Sequence, residues 1–421
     1  MASKKKPIKS KVGKGKAVPA AGFVFGNPLP IPDDYTGFSQ QDVVADSAVK
    51  SADHLEPFPA SRTPEVLSLD SVIGAGSTAQ IQAAKSIVIH CVGDSGGVKE
   101  PSKQFAVADA MAADLTNKTY QTGRPAFFYH LGDVVYYFGQ ERYYYDQFYD
   151  PYRNYDGPIF AIPGNHDGMV APSIGDPTLA GFLENFCTAQ PGHNPDAQGM
   201  LRTTMTQPGA YFTLDAPFVR IIGLYSNTSE GTTQGVISGP VVGDAQLTFL
   251  QQQLQATAQQ RASGDRRALL IAVHHPAFTG SQDHAPSPNV LKDIDSACQA
   301  ANILPDMVLS GHSHLYERYT RVVGVNQIPF VVAGTGGYFN LSGFKNSKNG
   351  KPPKTPSVGS DLQGNKLTLE KFNSTTFGFL RLTLSAASIQ CVLVTVDPAT
   401  GKTGTFDPFT VDLNAHTVKN G

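Results

Sequence analysis

The stretch FFYHLGDVVYYF, residues 127–138, leads a run of apolar residues into a Gly-Asp pair and then, three residues beyond Asp133, into Tyr136. With Ala126 the run AFFYHL (126–131) has the length of a strand and stops at a glycine. This predicts a core strand that delivers an acid to the edge of a sheet. A carboxylate is rarely buried unless something there pairs with it, and residues three apart on a helical turn share a face, so Asp133 and Tyr136 are expected to point into one cavity.

The same design recurs along the chain. Apolar runs SIVIHCV (86–92), PIFAIP (158–163), FVRIIGLY (218–225), LLIAVH (269–274) and DMVLSG (306–311) have strand length. They alternate with QFAVADAMAADL (104–115), LAGFLENFC (179–187), DAQLTFLQQQLQATAQQ (244–260) and VLKDIDSACQAA (290–301), which carry apolar residues at helical spacing. Strand, helix, strand in repetition predicts an α/β domain whose sheet strands are covered by helices. The runs PFVVAGT (329–335), GFLRLTLSA (378–386) and IQCVLVTVD (389–397) follow without long helices and predict a second sheet closed by antiparallel pairing. Residues 341–372 read as an exposed loop, 85–400 as the main domain and 401–421 as a C-terminal tail.

A chain of 421 residues, 40% hydrophobic, can bury a large core, and no run approaches the ~20 apolar residues that span a bilayer. Lys+Arg 33 against Asp+Glu 35 gives a net charge of -2, so no overall field recruits nucleic acid or a membrane surface. Cys91, Cys187, Cys298 and Cys391 form neither a zinc spacing nor a disulfide framework, and Cys91, Cys298 and Cys391 read as core thiols. Residues 1–84 are rich in Pro, Ser, Ala and Gly and open with seven lysines before residue 17. They read as a disordered basic arm and wrapping segment that could bind polyanions. The apolar core of a secretory signal is missing, so a cytoplasmic location is expected.

The polar residues gather at strand ends: VGDSGG (92–97), LGDVVY (131–136), PGNHDG (163–168), VHHP (273–276) and SGHSHLYER (310–318). Loops at the carboxyl ends of α/β strands converge on one edge. Singly, Asp94 or Asp133 is equally a helix cap, Asn165 a turn residue and His274 a core histidine. Together they form a set of oxygen and nitrogen donors without cysteine, which suits hard or borderline cations and is too large for one tetrahedral zinc.

This series, Gly-Asp-x-Gly, Gly-Asp-x-x-Tyr, Gly-Asn-His-Asp, a strand ending in His and Gly-His-x-His, resembles the calcineurin-like metallophosphoesterases. Within them it is most similar to the purple acid phosphatases, over roughly residues 85–340. The resemblance implies a four-layer α-β-β-α sandwich of two mixed sheets flanked by helices. It implies two metals, one held by Asp94, Asp133, Tyr136 and His314, the other by Asn165, His274 and His312, with Asp133 bridging. His275 is the alternative to His274. Gly96 stands where many superfamily members carry a histidine, and Tyr136 supplies a phenolate instead, which implies Fe(III) beside a divalent ion (Fe, Zn or Mn). His166 is then the candidate for stabilising the transition state or protonating the leaving oxygen, Asp167 either orients that ring or is a turn acid, and His284 resembles a substrate-side histidine. The implied activity is hydrolysis of small-molecule phosphomonoesters by metal-bound hydroxide. The alternatives are a phosphodiesterase or nucleotide hydrolase on the same site, and a non-catalytic phosphate-binding or scaffold protein that works through its basic arm. Arg318 reads as pairing with an acid or bracing the last loop, and Tyr137, Tyr143, Tyr144 and Tyr145 as packing or pocket-rim residues.

Overall fold

The computed structural model describes residues 57–115, 119–120, 123–169, 177–228, 235–346 and 350–421, so the lysine-rich start of the expected arm lies outside the described residues. In chain order the strands are β1 (Val66–Ser68), β2 (Ile87–Val92), β3 (Pro125–His130), β4 (Ile159–Ala161), β5 (Phe212–Ala216), β6 (Val219–Leu224), β7 (Asn227–Thr228), β8 (Gly235–Val236) and β9 (Ala268–Val273). They continue with β10 (Met307–Ser310), β11 (Tyr316–Val323), β12 (Asn326–Ala333), β13 (Ser357–Ser360), β14 (Lys366–Asn373), β15 (Phe377–Leu384), β16 (Ser388–Val396), β17 (Thr403–Asp412) and β18 (Thr417–Asn420). A nine-stranded mixed sheet has the order β1-β5-β6-β9-β10-β12-β11-β14-β13, and a seven-stranded mixed sheet the order β18-β17-β16-β15-β2-β3-β4.

Three apolar layers separate the expected α-β-β-α stack. Strands buried on both faces read as continuous apolar runs, and alternate residues go to opposite layers. Leu270 and Ala272 of β9 face the inter-sheet core together with Ile87, Ile89 and Cys91 of β2. Leu269, Ile271 and Val273 face the other way, against Phe249, Leu250 and Leu254 of the helix Ala245–Ala262 and Val290, Leu291 and Ile294 of the helix Pro288–Ala301. That second helix starts where Ser287 Oγ accepts the Val290 N–H at 3.2 Å and Pro288 fills the first turn, which needs no N–H from it. Beyond the seven-stranded sheet, Val107, Ala108 and Met111 of the helix Ser102–Asp114 pack against Val92 and Phe128. All four cysteines are free and buried.

Several expected boundaries are corrected. Residues 66–68 are an edge strand parallel to β5 and two short helices follow within 70–84, so this part of the wrapping segment belongs to the domain. The supposed loop 341–372 contains the antiparallel pair β13–β14, and PFVVAGT joins the nine-stranded sheet between β10 and β11. Residues 401–421 are not a tail: β17 and β18 extend the seven-stranded sheet past β16.

The tie that makes those last strands integral is ionic. Arg318 on β11, fully buried, donates Nε to Asp407 Oδ2 and Nη2 to Asp407 Oδ1, both at 2.7 Å, and so joins the two sheets. Tyr316 Oη donates to the same carboxylate at 2.8 Å, Nη2 also reaches Asn420 Oδ1 at 2.8 Å, and the guanidinium lies 4.4 Å from the centre of the Phe409 ring. Arg318 therefore pairs with an acid, 89 residues downstream, and its brace runs between two strands of different sheets. Removing one partner strands a buried charge: Asp407→Ala should lower the unfolding free energy by about 3–5 kcal/mol in urea titrations, whereas Arg318→Met with Asp407→Leu should recover much of that loss.

Candidate metal centre

Every candidate ligand lies at or just past the carboxyl end of a strand. Asp94, Asp133 and Asn165 follow β2, β3 and β4 of the seven-stranded sheet, while His274, His312 and His314 follow β9 and β10 of the nine-stranded one. The loops are stitched to one another. Asp94 N–H donates to Gly132 O at 3.0 Å, Gly311 N–H to His274 O at 3.0 Å and Tyr338 N–H to Asp94 O at 2.9 Å. Asp94, Asp133 and His312 hold positive φ values of 58°, 55° and 66°, a region costly for most L residues and clustered at functional sites. Glycine makes the close approach possible, since a Cβ at Gly164 would collide with the Asp133 carboxylate and one at Gly311 would lie 2.6 Å from Asp94 Oδ2.

At the centre, Tyr136 Oη lies 2.9 Å from Asp133 Oδ2, 3.2 Å from Asp94 Oδ1 and 3.3 Å from His314 Nε2. His314 Nε2 is also 3.4 Å from Asp94 Oδ1, and His274 Nε2 is 3.3 Å from Asp133 Oδ2. Asn165 Oδ1 and His312 Nδ1 face each other at 3.0 Å. Donor atoms of Asp94, Asp133 and His274 all lie within 4.8 Å of one another. Residues 133–136 are not a helical turn, as the spacing suggested. They form an irregular bend in which Asp133 holds a left-handed backbone, and the carboxylate and the phenol meet at 2.9 Å.

His274 shows what this cluster fits. Its Nδ1 is 2.8 Å from Leu131 O, a pure acceptor, so Nδ1 carries the hydrogen. That leaves the Nε2 lone pair facing a carboxylate, buried and without a hydrogen bond among the described residues. Only a proton or a metal cation reconciles the two. Burial disfavours the protonated ring, but Asp133 outweighs it and raises the His274 pKa to about 9. His274 and His166 likewise hold the Asp133 carboxyl far below its usual range, against burial. Burial and the neighbouring histidines His275, His284, His274 and His314 push His312 well down, which leaves a neutral imidazole suited to a metal. The Tyr136 phenol is pushed well above its usual value by burial and by Asp133 and Asp94, so it ionises only against a strong cation. The donors fit a pair of oxygen- and nitrogen-preferring ions.

A calcineurin-like phosphoesterase family model matches residues 87–316. The chain belongs to the calcineurin-like phosphoesterase family. A comparison with curated protein sequences finds no match. Among solved structures the chain is similar to GAP50, the anchor in the inner membrane complex of Plasmodium, at 15% identity and a TM-score of 0.50, over 76% of this chain and 88% of that one. It is also similar to PhoD, at 12% identity and 0.45, over 80% and 71%, and to Vacuolar Protein Sorting 29 from Cryptosporidium parvum, at 10% and 0.29, over 80% and 98%. The likeness to GAP50, at 15% identity, speaks to the fold alone.

In this phosphoesterase the remaining candidates separate. His166 and His284 are half-buried at the rim: the His166 ring is 4.4 Å from Tyr136, and the His284 ring 4.6 Å from His312 and 4.9 Å from His314. Asp167 does not orient His166, whose Nδ1 instead lies 2.9 Å from Tyr137 O. Fully buried, the Asp167 carboxylate accepts the N–H groups of Val134 at 3.0 Å, Val135 at 3.1 Å and Gly164 at 2.8 Å, clasping two site loops. His275 bonds Ser226 at 2.8 Å through Nδ1, so His274 alone of the pair faces Asp133. Sequence reasoning gave no role to Tyr338, whose ring lies 4.3 Å from Tyr136 and 4.4 Å from His314; it follows a strand-end GTGG, the signal shared by the other loops. Tyr143, Tyr144 and Tyr145 are packed in the core, as expected. Among the described residues no helix is long and apolar enough to cross a membrane.

One buried acid beside the last loop has a pH signature. Glu317 accepts the Gly280 N–H at 2.7 Å and thereby holds the loop that leads to His284, while its Oε2 has no donor among the described residues. Burial raises its pKa to about 7 against that N–H. Between about pH 4 and about pH 7 the unfolded chain has lost this proton and the folded chain keeps it, so stability falls as pH rises through the window, by on the order of 3 kcal/mol. Glu317→Gln should flatten that slope in denaturant titrations at pH 5 and pH 8, and an unchanged slope would rule the assignment out.

Proposed function

We propose that this phosphoesterase hydrolyses phosphomonoesters at a dinuclear metal centre, with Asp94, Asp133, Tyr136 and His314 holding one ion, Asn165, His274 and His312 the other, and Asp133 bridging. The observation that supports it most directly is the His274 lone pair set 3.3 Å from a buried carboxylate that no lysine or arginine pairs with among the described residues. Two such ions, when bound, supply charge for the phosphoryl oxygens and a nucleophile from water near neutral pH. A phenol among the ligands favours Fe(III) at the first position, with Fe, Zn or Mn at the second.

The chain's own contribution is to hold donors rigid and to line the rim with titratable rings. His166 Nδ1 carries its hydrogen toward Tyr137 O, which leaves Nε2 to take or give a proton. His284 stands over His312 and His314, where a protonated imidazole would face the ester oxygens. Both rings are suited to protonating the leaving oxygen, a contribution typically worth about 10²–10⁴-fold in rate.

Purified protein should carry about two metal ions per chain, and chelation should abolish hydrolysis of an aryl phosphate. Asp133→Ala should do the same at unchanged secondary structure, whereas activity that survives metal stripping would sink the reading. A panel of monoesters, diesters and nucleotides compared by kcat/KM separates the monoesterase from a diesterase on the same site. Iron-loaded protein should absorb in the visible, and Tyr136→Phe should remove that band.

A further inference from the structure

The motifs alone do not explain why the Tyr136 ring sits where it does, since it belongs to an irregular bend. Its backbone is gripped by a side chain outside every motif. Gln147 Oε1 accepts the Tyr136 N–H at 2.8 Å, and Gln147 Nε2 donates to Tyr136 O at 2.5 Å, so one amide pairs with both backbone groups of the same residue. Gln147 is buried and sits in a π-helical turn, Tyr145–Tyr149, a rare element that recurs at functional sites. Its own carbonyl accepts from Gln104 Nε2 at 2.6 Å, which ties the clamp to the helix Ser102–Asp114. Gly96 closes the arrangement: a Cβ there would lie 2.5 Å from both Gln147 Oε1 and Tyr136 Cδ2.

We propose that Gln147 is the positioning residue for Tyr136, fixing the phenol oxygen against Asp94, Asp133 and His314, an inference that rests on Tyr136 being a metal ligand. Among the described residues no other hydrogen bond engages the Tyr136 backbone, since Asp167 takes the N–H groups of Val134 and Val135 and stops there. Gln147 touches no metal-facing atom itself and acts only through the tyrosine it holds.

The test uses the full chain, as wild type, Gln147→Met, Tyr136→Phe and the double variant, titrated separately with zinc and with Fe(III). Gln147→Met should weaken metal binding about tenfold, the scale of lost outer-shell support, and shift and weaken the visible band of the iron-loaded protein. In the Tyr136→Phe background the same change should cost nothing more, since residues acting as one unit are not additive. Losses that add in the double variant, or a Gln147→Met protein with wild-type affinity and band, overturn the proposal. Wild-type protein with no visible band refutes the ferric reading instead, and the zinc cycle still decides the clamp. Should Gln147→Met not fold, Gln147→Asn keeps an uncharged amide but draws it back by one methylene from the Tyr136 backbone. It should fall between wild type and Tyr136→Phe, and full wild-type affinity would count against the clamp.

Discussion

Two carboxylates and a phenol are buried together with no lysine or arginine among the described residues to pair with them, and the surrounding loops are arranged around that cost. Burying an unpaired charge is among the largest penalties a fold can carry. Part of it is offset by backbone donors: His312 N–H on Asp94 Oδ2 at 2.8 Å and His166 N–H on Asp133 Oδ1 at 3.0 Å. Each bond takes one oxygen and leaves the other facing the cluster. Asp167, a short distance along the chain, shows the alternative outcome. Its oxygens are engaged by three backbone N–H groups, so the same residue type becomes a clasp with nothing left to offer a cation.

The backbone carries the complementary strain. Left-handed Asp94, Asp133 and His312 turn their side chains back across the strand ends, and Gly132, at φ 94°, lets His274 come within a distance that a Cβ would forbid. Aspartate tolerates this region better than most residues, but histidine does so less often. Such conformations persist where the packing over-determines them. Here the inter-loop hydrogen bonds and the Asp167 clasp do so.

Much of this was legible in the sequence, for reasons that also explain what was missed. β2, β3, β9 and β10 are buried on both faces, so their apolar runs stand out, and the polar residue that ends each run marks the site edge. β11 was invisible because its burial is paid in charge: Glu317, Arg318 and Arg321 are all buried within YERYTRVV. β14 and β17 are only partly buried and interleave polar residues, and β17 contains Pro408, so neither shows an apolar run. Of the two readings of Asp167, the turn acid holds and the orienting one does not, because sequence adjacency to His166 says nothing about where a carboxylate turns. Gln147 left no signal at all, since a glutamine in an aromatic stretch acquires meaning only from the backbone opposite it.

Neither sheet holds the site alone. The seven-stranded sheet brings Asp94, Asp133, Asn165 and, through the bend after β3, Tyr136; the nine-stranded sheet brings His274, His312, His314 and the Tyr338 ring. Carboxylates on one side and imidazoles on the other meet only when the sheets are stacked in register over the core of Ile89, Tyr129, Leu270 and Leu309. Any sliding of one sheet over the other would separate His274 from Asp133 and His314 from Asp94 together. The Arg318–Asp407 pair opposes that sliding, because bidentate guanidinium geometry tolerates little displacement and the pair is sealed from water. The C-terminal strands, far from the site in sequence, thus help set the distances between the candidate ligands.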